Sequence, residues 1–405
     1  MPQSALGSVI TPETLDAPMA PTLEAIRRHL GMEVAYISEF VGDLSMMREV
    51  SAPGLEHLIK PGDALSLDDV YCRHIVAGRL PELIADTAAE ALCQTLPITR
   101  NVPIGAHMSV PIRLADGELY GMFCCLSPTP NHSLNPRDLQ VMRVFADLAA
   151  HQIDRERARD QEANALRDRI LQVIEGREFE FHYQPIFTFA PFRLVGFEAL
   201  CRFHATPYRT PDIWFAEAEA SDLAEPLELA AAARALEALA DLPDPLFVSV
   251  NLAPATLLGG RFREALGDWP CGRVIIEVTE HAPVSDYAAL NAAIAPLRAA
   301  GVRLAVDDAG SGFASLQHII QLEPDIIKLD VELTRGLDSD TARRALVAAL
   351  TYFARETGTE IVAEGVETEA ERQALEALQV RKGQGYLLGR PMPRDAAMAL
   401  AARLA

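Results

Sequence analysis

The chain has 405 residues, more than one ordinary core needs, so two domains are expected. It is 49% hydrophobic and 23% charged, a globular composition, and its formal net charge of -21 would repel a polynucleotide. The first residues show no secretory leader and no uncharged apolar run reaches the ~20 residues of a membrane span, so a soluble cytoplasmic protein is expected.

Residues 1–19 read as a loose tail. TLEAIRRHL at 22–30 reads as a helix and EVAYISEF at 33–40 as a strand. Further apolar runs end at Leu83-Ile84, Met108–Pro111 and Leu119–Leu126, separated by turn clusters such as ADGE and SPTPNHSLNP. Several strands with flanking helices but no regular βα alternation predict an α+β domain with an antiparallel sheet over 20–155. A helix starts near Pro136, and 156–172 is too charged and too poor in apolar positions for a core element, which predicts a connecting helix. Ile153, Leu166, Ile170 and Ile174 could line a narrow seam that pairs two copies; a lone solvated spacer is the alternative. The six cysteines (Cys72, Cys93, Cys124, Cys125, Cys201, Cys271) include no CxxC pair and fit neither a zinc site nor a disulfide framework, so free thiols are expected.

Beyond 178 the pattern changes. Strand-type runs at 179–186, 193–200, 246–252, 273–280, 303–310, 325–330, 360–367 and 382–389 alternate with alanine- and leucine-rich helical stretches. Near-continuous apolar strands between helices imply a parallel sheet covered by helices, and eight units predict an α/β fold, a (β/α)8 barrel over 173–405. Toward the C-terminal ends of these runs stand Glu198, Asn251, Glu277, Asp307, Asp308, Lys328 and Glu364, with Gln184 and Gln384 in matching places in the first and last. Those strand ends form the active-site face of such barrels. Five carboxylates at one mouth would repel one another unless cations held them, and oxygen donors suit Mg²⁺ or Mn²⁺ better than zinc or copper. Only three of the 36 basic residues are lysine, and one of them is Lys328.

At these residues the chain resembles the EAL-type cyclic di-GMP phosphodiesterases. The signature is Glu198-Ala199-Leu200 within GFEALCR, followed in order by SVNL, EVTE, DDAGSGFASL, PDIIKLD, AEGVE and GQGYLLGRPMP, with YQPI ahead of it. The resemblance covers nearly all of 175–400. It implies hydrolysis of one phosphodiester of cyclic di-GMP to linear pGpG, with two divalent ions activating the attacking water. By position, Glu198, Asn251, Glu277 and Asp307 would bind one ion, Asp307 would bridge, Asp308 would belong to the second, and Glu364 would hold an ion directly or through water. Lys328 would orient or deprotonate the water, or stabilise the phosphorane. Arg202 would contact phosphate, Gln184, Leu200 and Gln384 would shape the substrate pocket, and Glu280 would brace the Asp-Asp loop. One departure stands out: the family's DDFG reads Asp307-Asp308-Ala309-Gly310 here, so a silent cyclic di-GMP receptor signalling through protein contacts is the alternative. Homodimerisation is the family expectation.

Residues 20–155 resemble a GAF domain, on Asp69–Cys72, Leu80–Asp86, Gly105–Pro111 and Leu119–Phe123. Such domains bind small ligands or chromophores, or merely dimerise; no ligand is named. Cys72 and His74 invite a haem, bilin or redox reading, against a plain buried thiol and a core or cap histidine. In Cys124-Cys125 alternate residues of a strand face opposite sides, which points to packing.

Overall fold

A computed structural model describes residues 19–279, 284, 286–309 and 313–404. Glu280, expected to brace the Asp-Asp loop, lies outside the described residues, as does Gly310. The chain divides into two compact units, 1–162 and 163–405.

The N-terminal unit is built on six antiparallel strands: β1 (Val34–Val41), β2 (Leu44–Ser51), β3 (Ala64–Ser66), β4 (Leu83–Ile84), β5 (Ala106–Arg113) and β6 (Leu119–Ser127). Their order in the sheet is β3-β2-β1-β6-β5-β4. Both faces are covered, which is why the central strands read as unbroken apolar runs. Ala35, Ile37, Phe123 and Cys125 face a core with Leu23, Ile26, Met142 and Ala146 from the flanking helices. Val34, Tyr36, Met122 and Cys124 face the other side, against Tyr71, Cys72 and Ile75. Cys124 and Cys125 therefore point to opposite faces, as the period of two requires.

A helix runs from Pro136 to Glu175, so the expected connector at 156–172 is part of a longer element. Three of the four seam residues read from its sequence, all but Leu166, pack inside the two units. Ile153 packs on the N-terminal core, while Ile170 and Ile174 pack with Phe179, Phe203 and Trp214 in the C-terminal unit.

The C-terminal strands are β7 (Phe179–Thr188), β8 (Arg193–Phe203), β9 (Phe247–Asn251), β10 (Val274–Thr279), β11 (Arg303–Ala309), β12 (Ile326–Leu329), β13 (Glu360–Ala363), β14 (Lys382–Gly383) and β15 (Met392–Pro393). Strands β7 to β14 pair in sequence and β14 pairs back on β7, which closes an eight-stranded barrel; β15 adds to β7. The expected barrel is present, with one correction to its parallel sheet. Strand β7 runs antiparallel to β8 and to β14. Only four residues, 189–192, separate β7 from β8, whereas a parallel neighbour needs a crossover of about a dozen or more. The last run is also shorter than expected: after Gly383 the chain turns.

The barrel interior is layered. Ile186, Phe247, Ile275, Ala305, Ile326 and Val362 form an apolar floor. Gly196 completes it, since a Cβ there would lie 2.5 Å from the Phe247 ring. Two residues further on, the pleat returns to the same interior face. The residues found there are Glu198, Ser249, Glu277, Asp307, Lys328 and Glu364. On β7 the step is reversed, because that strand is antiparallel: two residues before Ile186 stands Gln184, registered opposite Glu198.

Candidate active site

The layer above the floor is a ring of carboxylates around one ammonium. Lys328 Nζ lies 2.6 Å from Glu277 Oε2, 2.6 Å from Glu364 Oε1, 3.0 Å from Asp307 Oδ1 and 3.3 Å from Glu198 Oε2. Lys328 and Glu277 are almost fully buried, and Glu198 and Asp307 nearly so. Burial works against the ammonium, yet Asp307, Glu198, Glu277 and Glu364 together hold its pKa well above the ordinary lysine value. Burial likewise pushes the Glu277 carboxyl up to about 8, with the Glu198 charge adding and Lys328 opposing. The Glu364 carboxyl is raised well above its usual range, again first by burial. One cation cannot neutralise four clustered acids, three of them buried, and the raised Glu277 and Glu364 carboxyls lean toward their neutral forms.

Two consecutive aspartates should point to opposite faces of a strand, but here both belong to the cluster. The pairing of β11 with β12 slips between Val306 and Ala309, and Asp308 sits at a φ of 54°. This local irregularity re-aims the second carboxylate. Oxygens of Asp307, Asp308 and Glu364 consequently lie within 4.8 Å of one another, as do oxygens of Glu198, Glu277 and Asp307. Asp307 is common to both groups. The donors are carboxylates, with the Asn251 amide beside them and no histidine or cysteine among them. Such a set fits two hard divalent cations sharing Asp307. The Gln384 Oε1 atom, buried and without a hydrogen-bond partner, adds an unused oxygen donor.

The other expected residues take distinct places. Asn251 Nδ2 reaches Glu198 Oε1 at 3.5 Å. Gln384 was expected at the substrate; its amide donates to Glu198 Oε2 at 2.5 Å and Glu364 Oε1 at 3.2 Å, so it also braces two of the acids. Gln184 donates to the Gly389 carbonyl at 3.3 Å. Arg202 donates to the Cys201 carbonyl at 2.7 Å and with Leu200 lines a slot beside Asn251. Ala309 is fully buried in the core around the barrel. Two acids were missed. Glu371 accepts from the backbone N–H groups of Gly336, Glu367 and Thr368, tying together the segments that follow Lys328 and Glu364. The Thr368-x-x-Glu371 spacing signals that capping box in the sequence. Glu228, on the helix Ala224–Leu236, accepts from the Ala253 N–H beyond Asn251 at 2.9 Å and has no comparable local signal.

The N-terminal unit holds a cavity of about 290 Å³, lined by Tyr36, Ser45, Asp63, Tyr71, Cys72 and His107 among mostly apolar neighbours. Among the described residues no lysine or arginine lines it, and Ser45 and His107 are buried there beside the Cys72 and Cys124 thiols. Cys72 is buried, and hydrogen bonding with Cys124 together with burial holds its thiol pKa well above the ordinary value. His74 is buried but does not line the cavity, and its pKa is lowered by burial.

Residues 163–391 match the EAL domain family and residues 14–153 the GAF domain family. An uncharacterized signaling protein of Caulobacter vibrioides is 31% identical over 342 residues, 81% of this chain and 41% of its own length. The bifunctional diguanylate cyclase/cyclic di-GMP phosphodiesterase MucR of Pseudomonas aeruginosa is 32% identical over 60% of this chain and 37% of its own. The chain thus spans about two fifths of the length of the curated relatives it matches. Among solved structures, the phosphodiesterase of PaMucR in complex with c-di-GMP superposes with a TM-score of 0.52 at 30% identity, over 57% of this chain and 99% of that one. The EAL enzyme Bd1971, bound to cAMP and cyclic di-GMP, matches at a TM-score of 0.56 over 91% of this chain and 93% of its own; at 19% identity it shows the fold alone.

Proposed function

Because the chain belongs to the EAL domain family, we propose that its barrel hydrolyses one phosphodiester of cyclic di-GMP to linear pGpG under the control of its GAF domain. The observation that carries this reading is the pair of carboxylate groups sharing Asp307, each compact enough for one divalent ion. Glu198, Asn251, Glu277 and Asp307 would hold one Mg²⁺ or Mn²⁺, and Asp307, Asp308 and Glu364 the other. Bound there, two such ions supply positive charge at the attacking and leaving oxygens and lower the pKa of the attacking water. The chain's own groups do the remainder. Glu198, Gln384 and Glu364 form one hydrogen-bonded unit that fixes the donor geometry. Lys328, held charged by its neighbours, orients the water and balances charge that develops on the phosphoryl oxygens. Arg202 offers a planar fork for a phosphate beside Asn251.

In the GAF domain the cavity supports a small, uncharged ligand. Among the described residues it has no cation for a phosphate, and its lining is mostly apolar. All six cysteines are free, which supports a reducing, cytoplasmic setting for the reaction. A homodimer remains the family expectation, carried by surfaces other than Ile170 and Ile174.

The test is incubation of the purified chain with cyclic di-GMP and Mg²⁺ or Mn²⁺. Linear pGpG is expected. Dinucleotide that is bound but uncut at enzyme excess would support instead the silent receptor, the reading that Ala309 favours.

A further inference from the structure

Two thiols meet over the N-terminal sheet. Cys124 stands on the central strand β6, registered between Tyr36 of β1 and Ser109 of β5. Directly opposed residues share a face, and this face packs against the short helix Tyr71–Val76, which carries Cys72. Ser109 Oγ lies 3.1 Å from Cys124 Sγ, and Tyr36, His107 and Cys72 hydrogen-bond to the same sulfur. Burial works against charge on Cys124, but Cys72, His107 and Ser109 outweigh it and hold the thiol pKa well below its ordinary value. A thiol that only fills space needs no such shell; a sulfur met by four polar groups is built to carry charge. Cys72 also lines the cavity of about 290 Å³, whereas Cys124 does not. The lining includes the exposed Ala64, Leu65 and Asn101, so the cavity reaches the surface and a small solute can meet Cys72.

We propose that Cys72 and Cys124 are a dithiol oxidised by hydroperoxides, Cys72 meeting the oxidant in the cavity and Cys124 resolving it to a disulfide. Cys72 hands its proton to the Cys124 sulfur and attacks the distal peroxide oxygen. An S–O bond forms, the O–O bond breaks, and the departing alkoxide or hydroxide takes that proton and leaves as alcohol or water. The Cys124 thiolate then attacks the Cys72 sulfur. The S–S bond forms, the S–O bond breaks, and hydroxide leaves to take a solvent proton. The two sulfurs have lost two electrons and the peroxide has gained them. Low-pKa thiols beside a resolving partner are the ones that oxidise reversibly, and thiols already in hydrogen-bond contact are placed for an S–S bond of about 2.05 Å. The bond fastens the helix Tyr71–Val76 to β6, and a thiol reductant reverses it.

The competing role for both residues is packing, in which case oxidation follows exposure and falls first on the half-buried Cys201 and Cys271. The full-length protein, reduced and freed of reductant, is treated with hydrogen peroxide while folded; remaining thiols are blocked and the peptides mapped by mass spectrometry. A Cys72–Cys124 linkage is expected, with loss of two of the six free thiols and their return in dithiothreitol. Cys125, on the opposite face of the same strand, should stay reduced. Cys124→Ser should leave Cys72 as a sulfenic acid that dimedone traps. The wild-type map decides the proposal by itself, since it needs no substitution in the core. Oxidation that begins at Cys201 and Cys271 and spares the pair overturns it, as does a linkage through any other cysteine.

Discussion

Lys328 and Glu277 meet at 2.6 Å inside the barrel, each with a side chain only 2% exposed. Both stand two residues beyond the apolar floor, Glu277 after Ile275 and Lys328 after Ile326, so the contact follows from strand register. The ammonium serves four acids at once, three of them buried, which makes it the electrostatic keystone of the ring.

Lys328→Met should therefore unbalance the fold as well as the chemistry. Removing one partner of a buried ionic cluster costs about 3–5 kcal/mol. The expected result is a lower melting temperature without metal, with partial recovery in millimolar Mn²⁺. Metal-independent melting of this variant would refute the cation-balancing role of Lys328.

Asp308 should show the opposite separation of stability and function. At a φ of 54° it occupies the left-handed region, where glycine is at ease. Asp308→Gly also removes one acid from a crowded cluster, so stability is expected to stay within about 1 kcal/mol of wild type. Turnover should fall by two orders of magnitude or more. A variant that melts normally and still turns over would remove Asp308 from the site.

Glu371 links the Asp330–Gly336 and Glu364–Thr368 segments. Burial raises its carboxyl pKa, but the N–H groups of Gly336, Glu367 and Thr368 outweigh burial and hold it below 4.5. A depressed folded pKa gives stability that is present above the unfolded value and lost as pH falls through the folded one. The melting difference between wild type and Glu371→Gln should accordingly be largest near neutral pH and shrink below about pH 4. A difference that is flat from pH 3 to 7 would contradict this. Glu371→Ala should cost about 1–3 kcal/mol, the penalty for leaving buried donors unpaired.

Much of this was legible in the sequence because a barrel strand has a period of two and only one interior face. A charged residue toward the C-terminal end of an apolar barrel strand has few places to point but the site, which is how Glu277, Asp307 and Lys328 stood out. The reversed strand β7 was legible in principle, since residues 187–192 leave no room for a crossover helix. Its apolar pattern is the same in either direction, so pattern alone predicted a parallel neighbour. Ile170 and Ile174 misled for a related reason: an apolar stripe on a helix does not say which surface covers it, and here the barrel's own Phe203 and Trp214 do. Glu228 was invisible because its meaning is tertiary. It lies on a helix 23 residues before Asn251 and is brought to the loop beyond it only by the fold.

The most direct test of the two-ion site is a Mn²⁺ titration of the full-length protein followed by calorimetry, with cyclic di-GMP turnover measured on the same samples. Two ions per chain are predicted for the wild type, with neither tight binding nor turnover in Asp307→Ala, whose side chain is common to both groups. Unaltered stoichiometry and turnover in Asp307→Ala would contradict the account.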